Sequence, residues 1–422
     1  MPEQKNGSLP LPPQVDSTLR RLRSAGYEAY IVGGCVRDFL RGVPPKDFDM
    51  TTSALPEQVH AVFAGERIID TGIKHGTVTL LADGMPLEIT TYRLDGEYRD
   101  ARHPSAVSFT SSLREDVARR DFTMNAIAYH PEEGFCDFFG GRVDIAAGII
   151  RAVGEPERRF REDALRILRA LRFAAVLDFR IEEETARAAR ATAALLPRIA
   201  GERIREELFK LLTGVAAGRV LAENAEILAP LFPEWYAAVF ENKGTRVSRI
   251  AELLPLLPAD CVLRTVAFLL PLYEKDAKAA DGLLQSLRLD RRTHRRILKL
   301  LSHLPTACTG EAPIIRRFLS GVGEEDAFAL YAFHRATATL AGDGARLAVL
   351  AEAEAWCRAL CEAGPVYSIA DLAVRGEDLI ALGFAEGREL GLALAALLDA
   401  VLDGLTENKR DALISYAKTY LR

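Results

Sequence analysis

The hydrophobic pattern of the chain changes character near residue 156. Before that point, short apolar runs rich in β-branched and aromatic residues stand between turns and short amphipathic stretches, as at 30–32 and 76–82. Beyond it, apolar residues recur every three or four positions, and strand-like runs are nearly absent. The pattern predicts an α+β first part followed by a remainder made of helices.

The individual elements follow from the same periodicities. In the first part we expect helices at 15–25, 36–40, 58–63 and 113–120, and strands at 30–32, 67–70, 76–82 and 86–93. In the remainder we expect helices at 162–178, 202–210, 261–270, 276–287, 291–301, 313–321, 325–336, 346–363, 369–373, 388–403 and 408–420.

Composition narrows the class of protein without naming a function. A chain of 422 residues is long enough for about two to four domains, and an apolar content of 49% supplies packed cores. A net charge of −5 means that any contact with nucleic acid must come from a local basic patch. The six cysteines form no Cys-x-x-Cys pair and no signal-peptide pattern is seen before them, which predicts free thiols in the cytoplasm. No apolar run has membrane-spanning length.

The first candidate for chemistry is the glycine turn after the first predicted strand. Gly33 and Gly34 lack the side chains that would keep a ligand away from the backbone, and a helix begins directly after them. Backbone amides at a helix N-terminus, together with the fixed charge of Arg37, suit a phosphate group. An ordinary turn is the plainer interpretation of two adjacent glycines.

A pair of carboxylates, Asp47 and Asp49, follows the glycine turn. If this segment is a strand, alternation places both on one face, where they can hold hard divalent cations for an in-line phosphoryl displacement. A solvated loop is the plainer interpretation of Asp-x-Asp alone. The order of phosphate-binding turn, short helix and carboxylate strand, however, is the plan of a nucleotidyltransferase head.

The sequence GGCVRD followed by DFDMTTSALPEQV resembles the first motif of the class II tRNA nucleotidyltransferase and bacterial poly(A) polymerase family. The resemblance implies that Asp47 and Asp49 are catalytic and bind two magnesium ions. LEITTYR, at 87–93, resembles the strand that brings a third catalytic acid, here Glu88, to the metal site. On spacing alone, a structural acid is the favoured interpretation of Glu88.

The segment RRDFTMNA, at 119–126, resembles the second motif of the same family. Taken alone, it predicts an exposed helix end with an Asx cap. The resemblance implies that Asp121 and Asn125 contact the nucleotide ribose and that Arg120 contacts the triphosphate. Gly33, Gly34 and Arg37 are then the other triphosphate ligands.

The arginine-rich stretch EDALRILRALRFA begins at residue 162 and has one apolar face, so its charged residues are expected to share the opposite, exposed face. Asp163 and Arg166 stand one helical turn apart there. Cytosine and adenine both present an amino donor beside a ring-nitrogen acceptor, whereas uracil and guanine reverse that polarity. A carboxylate beside an arginine would therefore accept C and A and refuse U and G. An exposed Asp–Arg pair is the plainer interpretation.

The same stretch resembles the base-selecting motif of the family. The resemblance implies that Asp163 and Arg166 select the base, with Glu162 as an additional candidate. Arg169 and Arg172 are assigned to the nucleotide or its phosphates. The segment ERIREELFK, at 202–210, resembles the last and least specific motif and is expected to pack against this helix.

The longest irregular segment of the first part is 94–107, LDGEYRDARHPSAV. A solvated loop is one interpretation and a functional lid is another, because long loops inside compact domains are often functional. It resembles the family loop that is associated with addition of the final adenosine.

The resemblance implies a polymerase-beta-like nucleotidyltransferase head with a mixed β-sheet at 1–148, and an all-α neck at 149–214, body at 215–305 and tRNA-binding tail at 306–422. The implied activity is addition of C, C and A to the 3′ end of tRNA from CTP and ATP, without a nucleic-acid template and with release of pyrophosphate. No membrane and no obligate protein partner is expected.

Several alternatives stay open. An A-adding enzyme, a CC-adding enzyme and a poly(A) polymerase use the same chemistry, although TGIKHGTVTLL and the 94–107 loop are similar to the tRNA enzymes. A non-catalytic nucleotide binder would not need all three acids. A metal-dependent glycosyltransferase would leave RRDFTMNA and the arginine-rich helix unexplained.

Overall fold

The computed structural model describes residues 8–45, 47–95, 107–240, 245–306, 309–364 and 368–421. The chain forms two compact units, residues 1–247 with 286–288, and residues 248–285 with 289–422. The first unit contains a mixed β-sheet, and the second is built from helices. The predicted fold class is confirmed, whereas the division into head, neck, body and tail stays a prediction.

Eleven strands lie in the described part of the chain. They are β1 Ala29–Val32, β2 Asp49–Thr52, β3 Ile68–Gly72, β4 Thr77–Ala82, β5 Met85–Thr91, β6 Arg93–Asp95, β7 Val107–Phe109, β8 Ile127–His130, β9 Gly134–Asp137, β10 Ile149–Ile150 and β11 Arg180–Ile181. Seven form one sheet in the order β3-β4-β5-β2-β1-β8-β9. Its one parallel pair among the described strands is β2 with β5.

The first unit also holds most of the shorter helices. They are α1 Pro13–Ser24, α2 Gly34–Leu40, α3 Pro56–Val62, α4 Leu113–Ala118, α5 Gly141–Ala147, α6 Pro156–Glu162, α7 Leu165–Leu177, α8 Glu183–Thr192, α9 Gly201–Thr213, α10 Ala217–Asn224, α11 Pro233–Phe240 and α12 Thr245–Leu253, of which α12 continues into the second unit. Helix α9 packs on α7, as the sequence predicted.

The second unit is built from helices. They are α13 Cys261–Lys275, α14 Ala277–Ser286, α15 Arg291–His303, α16 Ala312–Val322, α17 Glu324–Ala341, α18 Gly344–Glu362, α19 Gly376–Ala381, α20 Arg388–Leu402 and α21 Arg410–Tyr420. The predicted helix at 369–373 is wrong, since only a 3₁₀ turn at Ile369–Asp371 forms there. Within the described ranges, no helix is both long and apolar enough to cross a bilayer.

Strands β8 and β9 were not predicted. Every residue of β8 is buried, so its four-residue run carries no polar alternation that would mark a strand. The strand joins the sheet because β1 supplies a partner, with Ile31 opposite Tyr129 and Val32 opposite Ala128.

One face of the sheet forms part of the core that supports the candidate site. Tyr30, Val32 and Tyr92 pack there against Leu113 and Val117 of α4. All five side chains are at least nine-tenths buried. This packing fixes α4, and with it the start of RRDFTMNA, against β1 and the end of β5 in the sheet that carries the candidate carboxylates.

The predicted helix at 162–178 is wrong in one respect, because the helix is interrupted at Asp163. That residue is extended, with φ −141° and ψ 104°, and separates α6 from α7. Its Oδ1 accepts a hydrogen bond from the Leu165 amide at 3.0 Å. Aspartate favours this arrangement because its short carboxylate satisfies an amide that has no partner inside the new helix.

Candidate functional site

Three carboxylates lie on one open face of the sheet. Exposure alternates along residues 47–50, where Asp47 and Asp49 are exposed on either side of buried Phe48. Strand β2 begins at Asp49, so Asp47 precedes the strand rather than belonging to it. The parallel register pairs Met50 with Ile89, and one step back along it brings Asp49 beside exposed Glu88.

The crowding of these acids is visible in their electrostatics. Desolvation, followed by the charges of Glu88 and Asp47, raises the pKa of Asp49 above its ordinary value, while Arg120 opposes the rise. A divalent cation would relieve this repulsion, and carboxylate oxygens are the ligands that magnesium prefers. No three acidic, histidine or cysteine side chains form a complete cation cluster within the described residues. Magnesium normally needs only one or two carboxylates, with water and substrate phosphate completing its shell.

The glycine turn brings the backbone close to positively and negatively charged side chains of the candidate site. Gly33 has φ +85° and ψ −133° at the start of α2. A Cβ placed there would lie 3.3 Å from Nη1 of Arg120 and 3.9 Å from Oδ2 of Asp49. A Cβ on Gly34 would lie 3.6 Å from Nη2 of Arg37. The backbone of the turn therefore approaches Arg120, Arg37 and Asp49 where a side chain on Gly33 would crowd them.

Replacing Gly33 by alanine is expected to raise the KM for nucleotide about tenfold, because the new methyl both strains the backbone by about 1–2 kcal/mol and displaces Arg120. Gly42 is the matched control, since it has φ +78° but no atom within 4 Å of a new Cβ. Steady-state kinetics and thermal melting of both alanine variants separate strain from displacement. An equal rise in KM in Gly42→Ala would contradict this role for Gly33.

Arg120 faces the carboxylates with part of its guanidinium unsatisfied. Its Nε is buried and has no hydrogen-bond partner among the described residues. Desolvation lowers the pKa of this arginine, although Asp116, Asp121 and Asp49 oppose that effect. A buried donor without an acceptor is costly, and an incoming anion would satisfy it.

A second group of predicted residues forms one hydrogen-bonded chain. Arg37 donates from Nη1 to Oδ1 of Asn125 at 2.9 Å, and Asn125 donates from Nδ2 to Oδ1 of Asp121 at 3.0 Å. Arg169 donates from Nε to Oδ2 of Asp121 at 2.8 Å. Burial disfavours the charged form, but Arg169 and the hydrogen bonds from Asn125 and the Phe122 amide hold the pKa of Asp121 at about 2.

This chain continues to Arg172 through a carboxylate that sequence reasoning missed. Glu207 of α9 is buried. Its Oε1 lies 3.6 Å from Nη1 of Arg169, and its Oε2 lies 2.5 Å from Nε of Arg172. The guanidinium groups of Arg37, Arg169 and Arg172 lie 5.2, 5.4 and 3.7 Å from the ring centroid of Phe173. These three guanidinium groups around one aromatic ring form an arginine wall, in which Asp38, Asp121 and Glu207 partly balance the positive charge. The three glutamates of ERIREELFK look alike in sequence, so only packing identifies Glu207 as the buried one.

The two predicted base-selecting residues are held by protein groups. The expectation of an exposed Arg166 is wrong, since it is only 8% exposed. Its Nη1 donates to Glu162 at 2.9 Å and to a backbone carbonyl at 3.1 Å, and its Nη2 donates to the Arg119 carbonyl at 3.0 Å. Oδ2 of Asp163 accepts from Nη2 of Arg203 at 3.0 Å. These side chains therefore lie on the two sides of a helix break rather than on one continuous helix.

The predicted loop at 94–107 lies mostly outside the described residues, which include only its two ends. Those ends belong to β6 and β7, which pair antiparallel with Arg93 opposite Phe109. Every other predicted site residue is described. Glu162, Asp163 and Arg166 lie at the break between α6 and α7. Most of the remaining site residues fall into two adjoining groups. The carboxylates with the glycine turn form one, and the arginine wall with Asp121 and Asn125 forms the other.

Three segments of the chain match known domain families. Residues 29–151 match the "Poly A polymerase head domain", residues 178–238 match "Probable RNA and SrmB- binding site of polymerase A", and residues 263–417 match "tRNA nucleotidyltransferase domain 2 putative". The first match contains the glycine turn, the three carboxylates and RRDFTMNA.

Similar proteins extend over nearly the whole chain. A CCA-adding enzyme of Enterococcus faecalis is 36% identical over 95% of this chain and 94% of its own. One from Limosilactobacillus fermentum is 36% identical over 96% of both. The crystal structure of the Bacillus stearothermophilus CCA-adding enzyme in complex with CTP is 33% identical, with a TM-score of 0.79 over 97% of this chain and 98% of that one. The Thermotoga maritima CCA-adding enzyme complexed with tRNA, at 22% identity and a TM-score of 0.65, shares the fold.

Proposed function

This chain belongs to the family of CCA-adding enzymes, and on that premise we propose that it adds C, C and A to the 3′ end of tRNA from CTP and ATP without a nucleic-acid template. The observation that carries the proposal is the open face shared by Asp47, Asp49 and Glu88, against which Arg120 and the glycine turn are set. A head with these parts is suited to phosphoryl transfer, in which positioning and electrostatics supply most of the rate.

The proposed reaction is an in-line displacement. The 3′ oxygen of the RNA forms a bond to the α-phosphorus of the nucleotide, while the bond to the β-phosphate oxygen breaks and pyrophosphate leaves with the electron pair. We assign the hydroxyl proton to Glu88, and its exposed position on the strand beside Asp49 supports that assignment. Two magnesium ions held by Asp47 and Asp49 would supply Lewis acidity for both the attacking and the leaving oxygen.

The triphosphate is assigned to the basic and backbone groups beside the carboxylates. Arg120 offers its unsatisfied Nε, and the Gly33 and Gly34 amides begin α2. Arg37 lies next to this turn and is held by Asn125. We assign the nucleotide ribose to Asn125 and Asp121. Arg169 and Arg172 are assigned to the remaining phosphate oxygens.

The base is assigned to Asp163 and Arg166, which must change partners to receive it. Asp163 would exchange Arg203 for the exocyclic amino group of cytosine or adenine. Arg166 would turn one N–H from its present acceptors toward the ring nitrogen. Each exchange takes a partner from Arg203 or from one acceptor of Arg166, so the hydrogen bonds to the base must outweigh that loss.

The decisive test is extension of tRNA that ends at the discriminator base. Each labelled nucleotide is supplied alone and in pairs, and products are resolved to single-nucleotide length. Addition of two C from CTP alone and of one A once ATP is added supports the proposal. A product limited to one A, one limited to CC, or a long adenosine ladder would each support one of the alternative enzymes.

Replacing residues 96–106 by a short Gly-Ser linker is expected to leave CC addition largely intact and to suppress the final A about tenfold or more. The reason is the position of this segment between the Glu88 strand and RRDFTMNA, together with its resemblance to the family loop. Strands β6 and β7 are retained so that their pairing is unchanged. Equal loss of C and A incorporation would instead assign the segment to RNA binding or folding.

A further inference from the structure

Asp116 of α4 is a completely buried carboxylate that the proposed chemistry does not use. Its Oδ1 accepts hydrogen bonds from Nε and Nη2 of Arg119 at 3.0 and 2.8 Å, and from the Arg93 amide at 3.3 Å. Its Oδ2 accepts from the Thr51 hydroxyl at 2.9 Å and lies 3.9 Å from Nη2 of Arg120. A carboxylate with this many donors holds several chain segments together.

Each partner of Asp116 belongs to a different part of the candidate site. Thr51 lies on β2, two residues beyond Asp49 and therefore on the same face. Arg93 begins β6, directly after the strand that carries Glu88. Arg119 and Arg120 begin RRDFTMNA, the segment that also carries Asp121 and Asn125.

Arg120 is the partner whose position matters most. Its Nη2 lies 3.9 Å from Oδ2 of Asp116, and the charges of Asp116 and Asp49 both act on its guanidinium. If Asp116 were neutral, the guanidinium would be drawn toward Asp49 and would compete with any cation held there. The buried Nε of Arg120 adds nothing to hold it in place, because it has no partner within the described structure.

We infer that Asp116 is a positioning residue of the triphosphate site, which holds Arg119 and Arg120 in register with the strand that carries Asp49. It touches neither the nucleotide nor the reacting atoms, and its effect on nucleotide binding is carried by Arg120. The inference rests on the proposed function, because it takes Arg120 to be a triphosphate ligand.

The test is equilibrium binding of CTP and of ATP to the full-length protein without tRNA. In Asp116→Asn, the negative charge is lost and an NH₂ group, which cannot accept a hydrogen bond, replaces one of the two accepting oxygens. We therefore expect both dissociation constants to rise about tenfold. The inhibition constant of inorganic pyrophosphate should rise in the same proportion, because it reports the triphosphate site alone. The ratio of CTP to ATP affinity and the KM for tRNA should stay within about twofold, since neither the base nor the RNA is contacted.

A double-mutant cycle with Arg120→Ala distinguishes positioning from general destabilisation. Asp116→Asn should weaken CTP binding less than about twofold once Arg120 is already alanine. The matched control is Asp144→Asn, because Asp144 is 5% exposed and accepts from the Thr123 hydroxyl at 2.6 Å and from Arg151 at 3.2 Å. Its effect should add to that of Arg120→Ala.

Additivity in the Asp116 cycle, or unchanged CTP binding in a folded Asp116→Asn, would overturn the inference. If Asp116→Asn does not fold, Thr51→Val removes one hydrogen bond from the same carboxylate and leaves its charge. That variant should bind CTP about two- to threefold more weakly, and wild-type binding would overturn the inference equally. Failure of the wild-type protein to extend tRNA would instead refute the proposed function, while the binding cycle would still report on Asp116.

Discussion

The substitution Asp49→Asn is expected to lower nucleotide incorporation about a thousandfold or more, while leaving tRNA binding within a few-fold of wild type. The substitution keeps the shape of the side chain and removes the charge that would hold a cation. RNA binding is expected to survive because carboxylates repel the RNA backbone rather than attract it. Asp47→Asn should behave in the same way, since Asp47 and Glu88 are the other acids whose charges act on Asp49.

Single-turnover incorporation with saturating CTP, together with a filter-binding measurement of tRNA affinity, checks this prediction. Asp70→Asn is the matched control, because Asp70 is an exposed carboxylate on β3 of the same sheet and contacts only His60 among its described ion-pair partners. Retention of more than about a tenth of wild-type turnover in either active-site variant would place the metal site elsewhere.

Removing both side chains that we propose to select the base, as Asp163→Ala with Arg166→Ala, is expected to relax discrimination against UTP and GTP from several hundredfold to about tenfold or less. Asp163 supplies only acceptors and Arg166 only donors, a polarity that C and A satisfy. A wrong base leaves two buried groups without partners, at about 1–3 kcal/mol each. Use of CTP and ATP should fall in the same variant because the correct hydrogen bonds are lost.

The contacts of Arg166 suggest an alternative, purely structural role for this pair. Arg166 already bonds Glu162 and the Arg119 carbonyl, so its loss could lower activity through packing alone. Kinetics with all four nucleotides decide between the two roles, because a purely structural pair would lose activity while keeping wild-type selectivity. Arg158→Ala is the matched control, since Arg158 pairs with the same Glu162 from an exposed position.

The parts of the fold that follow local rules were predictable from sequence. Strands β1, β4 and β5 and most helices lie within a few residues of their expected positions, because alternation and helical periodicity mark them. Strand β8 has no such signal, since it is buried on both faces. The break at Asp163 was hidden by a continuous helical pattern, and only the side-chain bond to the Leu165 amide shows why the helix stops.

For the site, the sequence identified residue types and motifs but not their partners. The group around Asp49 depends on a parallel register between strands that are far apart in sequence. Asp116 was not among the predicted site residues, because the helical pattern at 113–120 does not distinguish a buried acid from an exposed one, whereas packing buries it completely. Glu207 was missed for the same reason, since burial is a property of the assembled helices α7 and α9.

The order of strands in the main sheet also has a consequence for biosynthesis. Strand β1 has β8 as a neighbour, and the paired residues Ile31 and Tyr129 are roughly 100 positions apart. As the chain leaves the ribosome, β1 therefore keeps one edge without its partner until β8 has emerged. Unpaired edges are templates for wrong association, so slow synthesis before residue 130 exposes the nascent head to aggregation. Expression should accordingly be more sensitive to slow codons before β8 than to those after it.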